Sequence, residues 1–286
     1  MSETPEPRLP IPAPDTQAAG PREPAALAEM RKILNSGGEP MRVLSQVASL
    51  VVQLQMDLLG RRLVSRFGDA VQNGPFAGMT YMPDAAGSML LPKLIGCYED
   101  ELHGVISEIA ARQPRLIINI GCGEGYYAVG FARLLPQVRV LAFDTDPQAQ
   151  NLCRKLADLN DVRDRVDVKG ECSPALLEEI TAHSPGCVVF CDIEGGEGHL
   201  LDPAQAPSLR NSIVVVELHE CFEPGIAHRV AQRFAQSHHI RAIGHEPRDA
   251  RRYPSLQSFV EFDRAIAMCE FRPGPTPWGV MVPKEA

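Results

Sequence analysis

The sequence predicts an α/β chain: a doubly wound, mostly parallel seven-stranded sheet behind an N-terminal helical extension. Three observations carry this. Seven short apolar runs alternate with helical patterns of roughly ten to fifteen residues, the pattern of right-handed crossovers between parallel strands. Leu116, Ile117, Ile118 and Ile120 form a near-continuous apolar run, as a strand buried on both faces requires. The residues before this run carry helical periodicity instead.

Taken in order, residues Met1 to Glu23 are rich in proline and poor in large apolar side chains, so a disordered tail is expected. Pro24 to about Asn35 reads as a short helix, and Gly37 and Gly38 separate it from a longer one. In that longer helix Leu44, Val47, Val51, Leu54 and Leu58 recur at steps of three and four, which makes one apolar stripe. The stripe either packs on the sheet domain or forms a two-heptad seam with a second subunit. Gly68 to Leu91 is rich in glycine and small residues and should form loops with a short hairpin. Pro92 to Ala111 reads as a helix leading into the first strand.

The remaining strands are expected at Val138–Phe143, Arg165–Lys169, Cys187–Ile193, Ile213–Leu218, Ile240–Gly244 and Trp278–Val282. Helices are expected at Ala128–Leu135, Pro147–Leu159, Pro174–Thr181, Pro224–Gln236 and Ser258–Glu270. The domain plan is therefore a tail (1–23), a helical extension and cap (24–113) and a sheet domain (114–286).

The stretch RLIINIGCGEGYYAVGFARLLPQVRVLAFD, Arg115 to Asp144, is the most informative. A strand runs into Gly121, Cys122, Gly123, Glu124 and Gly125, then into a helix, and the next strand ends at Asp144. Glycine lets the turn adopt unusual dihedrals and approach a ligand closely. A carboxylate at Asp144 can accept hydrogen bonds from both hydroxyls of a ribose. A dinucleotide fingerprint, G-x-G-x-x-G, would need glycine at position 126, where the chain has Tyr126.

The G-x-G-x-G match resembles the first motif of class I S-adenosylmethionine-dependent methyltransferases, and a Rossmann-like methyltransferase fold follows from that resemblance. Those enzymes usually carry an acidic residue two positions before the first glycine. Asn119 stands there in this chain, and its amide can hold the turn or the methionine end of the cofactor by hydrogen bonds. The turn FRPGPTPWGV before the final strand resembles the hairpin that makes the last strand of that fold antiparallel.

A second block, CVVFCDIEGGEGHLL, places Asp192, Glu194 and Glu197 after an apolar strand, at the edge where doubly wound sheets bind ligands. Carboxylates there are costly unless solvated, paired or used. This D-x-E-G-x-E arrangement, followed by VVVELHE, resembles the FkbM-type methyltransferases over roughly Tyr98 to Glu220. The resemblance implies methyl transfer from S-adenosylmethionine to a hydroxyl of a small molecule or sugar-containing natural product. It also implies adenine contacts at Glu171 and Cys172, after the third strand.

Methyl transfer to a hydroxyl needs an aligned acceptor and a group that takes its proton. His219 is the candidate base, with a surface histidine beside Glu217 and Glu220 as the alternative. Asp192 either holds the cofactor's amino group or orients the acceptor, and Glu194 does the same or caps the helix near Gly198. The expected cofactor contacts are thus Glu99, Asn119, Gly121, Cys122, Gly123, Gly125, Asp144, Thr145, Glu171, Cys172 and Asp192. Tyr98 and Glu99 either close over the cofactor or lie on a helix face packed on the sheet. No metal is included, although Asp192, Glu194 and His219 offer ligands that suit a divalent cation. Arg248, Arg251, Arg252 and Tyr253 form a basic, aromatic loop that either receives an anionic substrate or is solvated.

The chain has 286 residues and a formal net charge of -8, which disfavours a broad phosphate-binding surface and hence nucleic acid. The 8 cysteines lack zinc or CxxC spacing and read as reduced core residues of a cytoplasmic protein. The N-terminus is acidic and proline-rich, unlike a signal peptide. Val43 to Leu59 is interrupted by Gln53, Gln55 and Asp57, so no membrane span is expected there. A homodimer through the N-terminal helices is the partner expectation beyond the acceptor. The alternative functions are a cofactor-binding interaction protein without catalysis and, less favoured, an NAD-dependent oxidoreductase.

Overall fold

The computed structural model describes residues 22–82 and 89–284. The expected disordered tail lies outside them except for its last two positions, which open a helix. The chain divides into two compact units, Met1–Leu58 and Leu59–Ala286. The second unit includes residues the sequence placed in the extension and cap, such as Leu91, Leu94 and Ile109, all buried.

In the first unit, α1 (Arg22–Leu34) and the start of α2 (Pro40–Phe67) take the expected helical ranges. Leu44 and Val51 of the apolar stripe are exposed, at 58% and 48%. By length and composition α2 is apolar enough to cross a membrane, despite the polar residues that argued against it in the sequence. Its last turns belong to the second unit, where Leu59 and Leu63 are buried.

The loop that follows contains the expected hairpin reduced to one antiparallel bridge, Ala70 to Thr80. The single helix expected over Pro92 to Ala111 is broken into α3 (Leu90–Ile95) and α4 (His103–Arg112), with a short 3-10 turn at Asp100–Leu102 between them. Gly96 causes the break. It takes φ 81°, and a Cβ there would lie 2.0 Å from the Asn73 carbonyl oxygen, so only glycine fits.

The sheet alternates from there: β1 (Leu116–Ile120), α5 (Tyr126–Leu134), β2 (Arg139–Phe143), α6 (Pro147–Leu159), β3 (Val166–Lys169), α7 (Pro174–Ala182), β4 (Val188–Cys191), α8 (Glu197–Leu200) and β5 (Ile213–Glu217). Then come α9 (Ile226–Phe234), β6 (His238–Ile243), α10 (Glu261–Ala267) and β7 (Trp278–Pro283). Two helix starts follow from sequence directly. Asp146 accepts the Gln148 N–H and Ser173 accepts the Leu176 N–H, and each is followed by proline at the first helical position.

The strands lie in the order β3-β2-β1-β4-β5-β7-β6. The first five are parallel in succession, and β7 runs antiparallel to both neighbours. This is the mostly parallel, doubly wound seven-stranded sheet that the sequence predicts, with one antiparallel strand near its edge. The order turns back at β1, with β2 on one side and β4 on the other, which opens a crevice at the strands' carboxyl ends. Ile118, Val189, Val214 and Val216 pack on one face with Leu177, Leu201 and Phe234. Phe190 also contacts Tyr127 and Trp278, with ring centroids 4.2 and 5.2 Å away.

Candidate functional site

The crevice at the carboxyl edge is a cleft of about 1160 Å³. Typical single-ligand pockets hold roughly 300–1,000 Å³, so this one has room for two small molecules side by side.

At one end lies the glycine turn. Gly121 has φ 75°, and a Cβ on it would sit 1.5 Å from the Asp192 carbonyl oxygen. Its lack of a side chain is therefore demanded first by the close approach of β1 and β4, where Asp192 N–H bonds Ile120 O at 2.9 Å. Gly125, at φ 100°, starts α5, and a Cβ there would meet Cys153 Sγ at 2.8 Å. Gly123 lies between them and donates its N–H to Asp144 Oδ2 at 2.8 Å. Asp144 Oδ1 accepts from Asp146 N–H at 2.9 Å. Each oxygen keeps a second lone pair, and the side chain is half-exposed at the cleft, so both hydroxyls of a ribose can still be accepted.

Cys122, Thr145, Glu171 and Cys172 line the same cleft. Asn119 does not. It is 1% exposed and reaches Phe190 O at 3.5 Å, between β1 and β4. Strand alternation explains this: Ile120 lines the cleft, so its neighbour Asn119 points the other way. Beneath the turn lies a buried ion pair that local sequence does not signal, Lys93 with Glu124, joined by the Tyr81 hydroxyl, which donates to Glu124 at 2.6 Å. Lys93 also lies 4.7 Å from the Tyr98 ring centre.

At the other end the acidic residues converge. Glu99 takes φ 47° and is buried, with the Tyr127 hydroxyl donating to it and Arg272 at 3.6 Å. Burial, with the charges of Glu217 and Glu270, pushes its pKa up to about 8 against the pull of Arg272 and Tyr127. Asp192 also titrates well above the usual carboxylate range, through burial and the charges of Glu217 and Glu99.

His219 follows β5 and is 4% exposed. Its Nδ1 bonds Glu197 Oε1 at 2.7 Å, and its ring stacks on Phe222 at 5.6 Å. Glu197 thus fixes the ring and leaves Nε2 directed at Glu217 Oε2, 3.5 Å away, and Asp192 Oδ1, 3.7 Å away. Burial pulls its pKa down, but the bond to Glu197 and the charges of Glu217, Glu197 and Glu194 outweigh it and raise the value. It is not a surface histidine.

Three expectations change. Glu194 is exposed and does not cap α8: Gly196 is the cap residue, and Glu197 accepts the Gly195 N–H at 3.1 Å. Glu217 takes the place assigned to Glu194 beside Asp192 and His219, with ligand-type atoms of the three within 4.8 Å of one another. In the basic loop the arginines already have carboxylate partners, exposed Arg251 with Asp249 and exposed Arg252 with Asp100. Buried Arg248 pairs with Glu270, Asp100 and Glu101, and the Tyr253 hydroxyl donates to Asp100.

Arg272 was missed in the sequence. It bonds Glu101, Glu217 and Glu270 at 2.9 Å each and so ties β5 to the segment before β7. Only a signal at a separation of 171 residues, as between Glu101 and Arg272, would have revealed it.

No family model matches the chain, and no curated protein matches it. Among solved structures, it is similar to an O-methyltransferase from Bacillus cereus in complex with SAH, at 13% identity, covering 80% of this chain and 90% of that one, with a TM-score of 0.44. It is also similar to the O-methyltransferase TomG of Streptomyces achromogenes, involved in tomaymycin synthesis and in complex with SAM, at 14% identity, 81% and 90% coverage and a TM-score of 0.44. A precorrin-6y C5,15-methyltransferase from Geobacter metallireducens is similar at 10% identity, 63% and 88% coverage and a TM-score of 0.43. At these levels the fold rests on the strand order itself.

Proposed function

We propose that the chain is an S-adenosylmethionine-dependent methyltransferase that acts on a hydroxyl of a small molecule, in the manner of the FkbM-type enzymes. The observation that carries this reading is Asp144. It is held at the mouth of the glycine turn by the Gly123 N–H, inside a cleft large enough for a second molecule. The bound cofactor supplies a methyl group on a positively charged sulfur. Asp144 would hold its ribose, Glu171 and Cys172 would lie beside the adenine, and the acidic end of the cleft would favour the cationic portion.

The acceptor lies toward His219, Glu194 and Phe222, which line the opposite end. While the cofactor's methyl group is transferred to the acceptor oxygen, His219 Nε2 would take up the hydroxyl proton. Glu197 positions that ring and stabilises the imidazolium formed. Tyr126 at the third position of a dinucleotide turn argues against a nicotinamide cofactor. The cytoplasm and a homodimer through the N-terminal helices complete the reading.

Calorimetric titration with S-adenosylhomocysteine and with nicotinamide dinucleotides tests it. Binding of the first alone, lost in Asp144→Ala, supports the reading; binding of neither refutes it. A methyl-release assay over hydroxylated acceptors then separates an enzyme from a non-catalytic binder.

A further inference from the structure

We infer that Asp192, Glu217 and His219 form a binding site for a divalent first-row metal cation in the cleft. The inference rests on the methyl-transfer reading of the same site and revises its proton step.

The donor set is mixed: two carboxylate oxygens and one imidazole nitrogen, all within 4.8 Å of one another. A cation with bonds of about 2.1 Å sets adjacent donors roughly 3 Å apart and opposite donors roughly 4.2 Å apart. His219 Nε2 already lies 3.5 Å from Glu217 Oε2 and 3.7 Å from Asp192 Oδ1, so small side-chain rotations close the shell. All three residues come from the ends of neighbouring strands, β4 and β5, whose pairing fixes their spacing. All three line the cleft, which leaves the remaining coordination positions open to water or an acceptor oxygen.

Two further observations point to a ligand. His219 is nearly fully buried, yet only its Nδ1 has a hydrogen-bond partner among the described residues. The Nδ1 bond to Glu197 is the arrangement that fixes a metal-binding histidine in the tautomer whose Nε2 lone pair is free. Asp192 Oδ1 is likewise buried with no hydrogen-bond partner.

Charge accounts for the rest. The buried Arg248 side chain and the half-buried Arg272 are shared among Glu99, Asp100, Glu101, Glu217 and Glu270. Neither guanidinium pairs with Asp192 or Glu197. Negative charge therefore exceeds positive charge in a half-buried place, which a cation relieves directly. The alternative is one proton shared between Asp192 and Glu217. With the cation bound, His219 is a ligand, and the acceptor hydroxyl, polarised by the metal, releases its proton to water.

The probe is Mn²⁺ titrated into the full chain without S-adenosylmethionine, followed by loss of the free-ion electron paramagnetic resonance signal. One bound ion per chain is expected. Asp192→Asn and His219→Gln should each weaken it at least tenfold, and Glu197→Ala by about 10–100-fold through loss of the ring's anchor. Glu108→Gln, on the exposed side of α4 and outside the cleft, should leave it unchanged. Should the variants fail to fold, pulsed resonance on the unaltered protein decides: a nitrogen coupling from imidazole is expected. No saturable binding at neutral pH, or unchanged affinity in Asp192→Asn, overturns the inference in favour of the shared proton. Parallel titration with S-adenosylhomocysteine separates the two claims. Its binding without Mn²⁺ binding sinks this inference alone, and Mn²⁺ binding without it sinks the proposed function alone.

Discussion

Asp144 shows how a single residue position joins sequence to chemistry. Its carboxylate is held by two backbone N–H groups, and a charged hydrogen bond contributes about 1.5–3 kcal/mol. Asp144→Ala is therefore expected to weaken S-adenosylhomocysteine at least tenfold in calorimetry, and to lower the melting temperature of the free protein by several degrees through loss of both backbone bonds. Gly121→Ala forces a Cβ into the Asp192 carbonyl at positive φ, so a loss of about 2–5 kcal/mol of stability is expected in urea unfolding. At His219 the expected outcome of Ala substitution is a fall in methyl-release turnover larger than any fall in S-adenosylhomocysteine affinity. Equal falls in both would remove it from the acceptor end.

At the scale of elements, charges are carried between segments that are far apart in sequence. Lys93 of α3 reaches Glu124 of the glycine turn, and both are almost fully buried. Removing one partner leaves a buried charge, so Lys93→Met is expected to cost about 3–5 kcal/mol, read from the urea midpoint. The edge strand β6 supplies a pH-dependent case. His238 is 2% exposed and bonds the Ser212 carbonyl at 2.9 Å, and burial drives its pKa below the usual histidine value. The folded state thus binds this proton less readily than the unfolded chain. Stability is complete above about pH 6.5 and declines as pH falls through the depressed value. Comparing urea midpoints at pH 7.5 and 5 should show a smaller decline in His238→Gln than in the natural protein; an equal decline would assign the effect elsewhere.

For the whole molecule, ligand binding and folding are linked. S-adenosylhomocysteine at a hundred times its dissociation constant should add about 2.7 kcal/mol, a rise in melting temperature of roughly 5–10 °C. In Asp144→Ala the shift at the same concentration should fall to about half or less, which checks that it comes from this cleft. The sheet was legible in the sequence because parallel strands buried on both faces must be apolar throughout, and because capping residues such as Asp146 and Ser173 mark helix starts locally. The break at Gly96 was not legible, since its cause is the Asn73 carbonyl rather than anything in the helix. The sequence by itself determined the alternation of strands and helices, the glycine turn, the place of Asp144 and the histidine at the end of β5. Each of these follows from local periodicity or from position along one strand. The tertiary structure alone decided that Asn119 turns away, that Glu217 rather than Glu194 stands beside Asp192 and His219, and that Arg248 and Arg272 are consumed by internal carboxylates. Those outcomes depend on which strand ends lie side by side and on how buried charges pair across the fold, and no short-range pattern encodes either.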